Sequence, residues 1–370
     1  LYSSFALRPK HLDPARSYSS NEVQFNGQIY EPPLQYHYLK RPYELEPLTA
    51  TKMPTVHYLN ESDERIAGDD QQAVAYSVYT ITIRPGIQFQ PHPAFARDEN
   101  GMLLYHALND DALSNIQTLS DFEQTGSREL VADDYVYQIK RLASPKIHSP
   151  ILGLMSDYIV GLSDYAAQLR EAAKQGQEID LRAVELSGVR VLDRYRYEIK
   201  VFGRYPQLQY WLAMPFFSAV PWEADALYKQ PGLIKRNITM DWFPVGTGPY
   251  RLTENNPNSR MVLEKNPHYR ADPYPSEGEI DDEKNGLLID AGQLMPFVDK
   301  VVFLLEKEQT SYWNKFLQGY YDVSGISSDS FEQAIQVGSG GEFGLSDEMA
   351  KKGVALRTAI GTSTYYMGFN

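Results

Sequence analysis

The residues able to do chemistry in this chain are scattered rather than gathered. It has 7 histidines and no cysteine, so thiol nucleophiles, disulfides and thiolate metal sites are excluded. His92 lies between prolines in "PHP", His148 follows a helix-like run, and His268 stands in "NPHYR". None is spaced as a helical metal-binding pair, and no G-x-S-x-G elbow accompanies them. Isolated imidazoles of this kind read as surface residues. The acidic pairs Asp133/Asp134 and Asp281/Asp282 suit helix caps and solvated loops, because acid–base work needs two carboxylates held across a pocket. The expectation is no catalytic set, no metal and no cofactor.

One short motif does suggest a ligand. "GTGPY" comprises Gly246, Thr247, Gly248, Pro249 and Tyr250. A phosphate-cradling loop needs further glycines, a lysine and a helix start, whose N–H groups face the anion. Here Pro249 removes an N–H and "YRLTE" reads as a strand. The glycines are therefore expected to supply unusual φ angles at a chain crossing, and Gly248→Ala is expected to cost about 1 kcal/mol or more.

The elements around these residues are mixed α and β. In "RSYSSNEVQFNGQIY", Ser20 or Asn21 is expected to cap a helix with Val23, Asn26, Gly27 and Tyr30 on one face. "VYTITIRPGIQFQ" alternates on both sides of Pro85-Gly86 and predicts a hairpin over 80–90. "VADDYVYQIKRLASP" predicts a helix capped by Asp133 or Asp134, with Val136, Ile139 and Leu142 inward. A second helix is expected in "LSDYAAQLREAAKQG", capped by Ser163, with a stripe of Ala166, Leu169 and Ala173. "GVRVLDRYRYEIKVFG" predicts two strands turning at Asp193-Arg194, "FVDKVVFLLEKE" a strand, and "SYWNKFLQGYYDVSG" one helix running into another. "PYPSEGEIDDEKNG" is a charged loop.

The bulk numbers bound the function. A length of 370 residues predicts two or more domains, and 42% hydrophobic with 22% charged residues is globular composition. A net charge of −13 argues against nucleic acid or an anionic membrane as partner. No run of about 18 apolar residues is present to span a bilayer. The start "LYSSF" and the strand-like end "TSTYYMGFN" both read as cut ends of a longer protein.

Six stretches, in order along the chain, together resemble one family, the family 5 extracellular solute-binding proteins that serve oligopeptide and dipeptide ABC importers. They are "LDPARSYSS…QIYEPPLQY", "VYTITIRPGIQFQ", "RELVADDYVYQIKRLASP", "PVGTGPYRLTE…VLEKNPHYR", "FLQGYYDVSG" and "TSTYYMGFN". The sequence departs from the family pattern in the polar insert "PHPAFARDENG", in added residues around 103–125, and in the extra proline of "YEPPL".

The resemblance implies an α/β, periplasmic-binding-protein type II fold with two lobes, a hinge and an extra subdomain. It assigns 1–46 and 187–265 to lobe one, 47–186 to the subdomain and 266–370 to the first part of lobe two, with that lobe incomplete. It also implies capture of a peptide or other small solute, delivery to ABC permease subunits in the membrane, and a periplasmic or lipoprotein-anchored location. Tyr30, Glu31, Tyr366, Phe369 and Asn370 are expected to face the ligand, and 246–250 to mark the hinge. Glu31 could meet a ligand amine or pair with a nearby base. A peptide sensor or chaperone-like binder is the alternative, and a hydrolase would require the nucleophile–base pair that the sequence lacks.

Overall fold

Alternation of apolar and polar residues places Tyr79, Ile81 and Ile83 on a buried face, and these side chains are buried. Tyr79 and Ile81 belong to the strand Tyr76–Thr82, with Ile83 just past its end, and this strand is the middle of a five-stranded antiparallel sheet. The order across it is Arg65–Ile66, Thr55–Leu59, Tyr76–Thr82, Arg196–Phe202, Val189–Asp193. Tyr76 pairs with Phe202 and Thr82 with Arg196. On the other side Thr55 pairs with Thr80 and Leu59 with Tyr76. The computed structural model describes residues 1–66, 74–338, 341, 343–358 and 366–368.

This arrangement corrects the expected hairpin over 80–90. Gly86 does turn the chain, at φ 86°, and Ile87 and Phe89 are buried. Both edges of Tyr76–Thr82 are already taken, however, so the returning stretch bonds elsewhere. Phe89 N–H donates to Arg128 O at 3.0 Å, and Leu130 N–H to Ile87 O at 2.8 Å.

The helix Ala132–Leu142 covers the sheet beside Arg196–Phe202. Its start is Val131 rather than either aspartate: the Asp134 carboxylate accepts from Val131 N–H at 2.9 Å, one turn in. Tyr135 stacks on Tyr197 with ring centres 5.4 Å apart and planes 9° apart. The helix Leu162–Lys174 follows Gly161, at φ 74°, rather than a serine cap, and it buries Ala172 where Ala173 was expected. The helix Ser20–Ile29 begins after Ser19 and buries Glu22, Phe25, Asn26 and Ile29. Val23 is exposed. The buried face is set by Glu22, whose carboxylate accepts four backbone N–H groups, from Lys10, His11, Tyr18 and Ser19, at 2.9–3.2 Å.

By Cα proximity the chain divides into Leu7–Val301 and a smaller unit of Leu1–Ala6 with Val302–Asn370. In the smaller unit, Tyr2–Phe5 pairs in parallel with residues 302–305. Three helices, Gln309–Leu317, Ser328–Ala334 and Asp347–Lys351, accompany a ribbon of Ile335–Val337 and Phe343–Leu345. The first helix stops at Gly319, φ 79°, and the next begins only at Ser328, so "SYWNKFLQGYYDVSG" holds one helix, not two. Of the terminal "TSTYYMGFN", Tyr366–Gly368 are described and form no strand.

Candidate functional site

The end of the helix Ser20–Ile29, the stretch 89–92, the motif 244–250 and the segment 266–272 meet at one buried crossing. Gly248 N–H donates to Ile29 O at 2.9 Å, and Gln90 N–H donates to Gly246 O at 3.0 Å. Asn266 clamps the exit, its side chain donating to Gly248 O and its N–H to Pro249 O, both at 2.9 Å. Tyr250 hydroxyl reaches Val298 O at 2.7 Å. The crossing was expected, but the reason for its glycines is corrected. Neither Gly246 nor Gly248 has a positive φ. A Cβ on Gly248 would stand 2.6 Å from Gln28 O and 2.7 Å from Ile29 O, and one on Gly246 would overlap Ile29 O. Two backbones pass too closely for any side chain.

Past the crossing, Glu31 is 3% exposed. Its Oε2 accepts from Thr247 Oγ1 at 2.7 Å and from Arg270 at 2.8 Å. Its Oε1, also buried, has no hydrogen-bond partner in the protein. Arg270 also holds Asp272, Nε to Oδ1 at 3.1 Å and the second guanidinium nitrogen to Oδ2 at 2.5 Å. Burial raises the Glu31 pKa, and Arg270 and Thr247 work against that. Burial likewise opposes the Arg270 charge, but Glu31 and Asp272 more than offset it and raise its pKa. The pair is held at 2.8 Å with one carboxylate oxygen to spare, and a buried polar atom left unpaired calls for a partner.

Glu31 and Thr247 are thus brought together, and Gly246 and Gly248 lie against the residues just before Glu31. Tyr30 is 2% exposed and its hydroxyl has no protein partner. Tyr366 is 89% exposed, and Phe369 and Asn370 lie outside the described residues. Arg270 and Asp272 were missed. "NPHYR" signals a turn, but nothing local marks Arg270 as the partner of a residue 239 positions away.

His92 corrects the surface reading of the histidines. It is fully buried. Nδ1 accepts from Ala94 N–H at 3.1 Å, so the proton is on Nε2, which donates to Tyr228 hydroxyl at 2.7 Å. Burial pushes its pKa down to about 3, keeping it a neutral structural link. Among the described residues, no group of three or more His, Asp or Glu is placed to hold a metal ion. Among the same residues, no helix is long and apolar enough to cross a membrane.

Residues 64–370 match the family described as bacterial extracellular solute-binding proteins, family 5, in its middle region. The chain belongs to this family. It is 30% identical over 141 residues, 38% of its own length and 23% of the relative, to the periplasmic oligopeptide-binding protein OppA of Salmonella typhimurium. It is similar to the solved OppA of Burkholderia pseudomallei, with a TM-score of 0.54 and 17% identity, over 90% of this chain and 47% of that one. Peptide-bound OppA of Listeria monocytogenes gives 0.55 and 16%, over 90% and 47%. DppA from Helicobacter pylori, in complex with the peptide STSA, gives 0.54 and 18%, over 90% and 48%. The chain therefore spans about half the length of these solved relatives. The likenesses show a mixed α/β fold of the periplasmic binding proteins. The family and the fold are those of binding proteins rather than enzymes.

Proposed function

We propose that this family 5 protein captures a peptide-like solute outside the cytoplasm, without altering it, and delivers it to the membrane permease of an ABC importer. The family match over 64–370 carries the reading. The names of the relatives support it, since one is an oligopeptide-binding protein and two are described with peptide bound. Within the chain, the support is a buried carboxylate, Glu31, with one unpartnered oxygen. Such an atom suits a ligand N–H or amine.

Tyr30 and Glu31 are proposed ligand contacts on this basis, and Tyr366, Phe369 and Asn370 on the resemblance alone. The proposed partition keeps 1–46 and 187–265 as lobe one, 47–186 as its subdomain and 266–370 as the start of lobe two. The sheet runs across the 186/187 boundary through the pairing of Tyr76–Thr82 with Arg196–Phe202, which would hold subdomain and lobe one as one body.

Native mass spectrometry of the full-length protein, purified without denaturation, tests the function. Peptides released on unfolding, together with heats of binding for a tripeptide mixture, are expected. Absence of both would overturn the reading. Turnover of those peptides, abolished by a single substitution, would overturn the claim that no chemistry occurs.

A further inference from the structure

Beside the Glu31–Arg270 pair lies a cavity of about 220 Å³, open to solvent. One wall is the ribbon Leu34–Tyr36 with Leu45–Pro47 and the residues around it. The other is the segment 269–295, which includes the charged "PYPSEGEIDDEKNG" loop. This loop is pinned by Tyr274 N–H to Gln293 O at 2.8 Å and Met295 N–H to Asp272 O at 2.9 Å. Tyr38 stacks across on Tyr274, ring centres 6.4 Å apart and planes 16° apart.

The lining is one-sided in charge. It contains Glu46, Asp272 and Glu277 but no lysine or arginine. Asp272 is paired with Arg270 and Glu277 with Lys40 at 3.0 Å. Glu46 accepts only a neutral donor, Gln35 Nε2 at 2.7 Å, and among the described residues no ion pair reaches it. Two phenols, Tyr38 and Tyr269, face the same space. Burial pushes the Tyr38 hydroxyl pKa up, and Glu46, Asp272 and Glu31 add to it while Arg270 opposes them. A carboxylate without a cation, aromatic faces and a single-residue volume are the features that recognise an organic cation.

We propose that this cavity receives a guanidinium or alkyl-ammonium group, as carried by an arginine or lysine side chain of the captured peptide. The peptide part rests on the function proposed above; the cation preference does not. Ligand-observed NMR titration of the protein with N-butylguanidinium and its neutral isostere N-butylurea tests the preference. The cation is expected to bind at least about tenfold more tightly, and Glu46→Gln should bring the two within about twofold. Equal binding of the two probes, no binding of either, or an unchanged ratio in Glu46→Gln would overturn it.

Calorimetry with Ala-Arg-Ala and Ala-citrulline-Ala then separates the sources. Preference for the arginine peptide, lost in Glu46→Gln, supports the proposal in full. Cation preference by the small probes with no binding of either peptide would leave a site for free amines or guanidines and defeat the peptide reading. Equal binding of both peptides, with no preference among the small probes, would do the reverse.

Discussion

The helices Ala132–Leu142 and Gln309–Leu317 differ in what they bury. The first buries ten of its 11 residues, two of them cationic, Lys140 and Arg141. The second buries only Trp313. Arg141 is held by Asp13 at 2.7 Å, Asp225 at 3.0 Å and Gln138 at 2.8 Å. Burial alone would raise the Asp225 pKa, yet Arg141, Lys229 and Tyr137 hold it at about 2. In the smaller unit, a buried cluster consists of Trp313, Ala334 and Met349, with six apolar side chains half-buried around it. A cavity of about 1310 Å³ opens beside them. One region is fixed by ionic bonds whose geometry admits no slack, the other by a thin apolar contact, which places it at the low-stability end of the molecule.

The largest expected effect comes from breaking the ionic side. Arg141→Met leaves buried Asp13 without a cation and Asp225 with Lys229 alone, and should cost about 3–5 kcal/mol. In native-state hydrogen exchange, amides of 132–142 would lose protection while those of 309–317 would not change. Trp313→Ala should produce the opposite pattern, costing about 3 kcal/mol and releasing amides of 309–354 only. A loss of protection shared by both regions in either variant would show the two to be one cooperative unit.

The crossing sharpens the contrast further. Gly248→Ala should cost about 2 kcal/mol, since backbone rather than a mobile side chain must yield, and chemical denaturation should register it in the Leu7–Val301 region. The smallest effect belongs to Glu22→Gln, about 1–2 kcal/mol. Burial works to raise the Glu22 pKa, but the backbone N–H groups it accepts win and lower it below 4.5. The fold thus favours the charged form. Its contribution is complete above about pH 4.5 and disappears as pH falls through the lowered value. The gap between wild type and Glu22→Gln should close on acidification in denaturation curves; a gap unchanged down to pH 2 would contradict this.

What the sequence made legible was local. Alternation located Ile81, Ile83, Ile87 and Phe89 as core, and the helical stripe Val136/Ile139/Leu142 was in place. Alternation carries no record of which strand lies alongside, so the partner of Tyr76–Thr82 was missed. A glycine in the text looks the same whether it serves φ, as Gly86 does, or close approach, as Gly248 does. His92 read as exposed because its partner Tyr228 is 136 residues away. Glu31 was singled out by family likeness, while Arg270, which gives it half of its geometry, was not. Ion pairs closed over such separations have no period to betray them. The cavity beside Glu46 was illegible for the same reason, being walled by two segments more than 200 positions apart.

The central strand has a consequence for how the chain is made. Ser77 donates to Gly203 O across 126 residues of sequence, and the strand's longest partner is Arg196–Phe202. At about 5–20 residues per second of synthesis, the strand emerges about 6–25 s before that partner exists. Through that interval one edge can bond only to Thr55–Leu59, and the other presents free N–H and C=O groups to any extended chain nearby. Pairing at such a separation also carries a large loop-closure cost, which slows folding. The nascent chain therefore passes through a stage with an open strand edge that a holding chaperone can recognise.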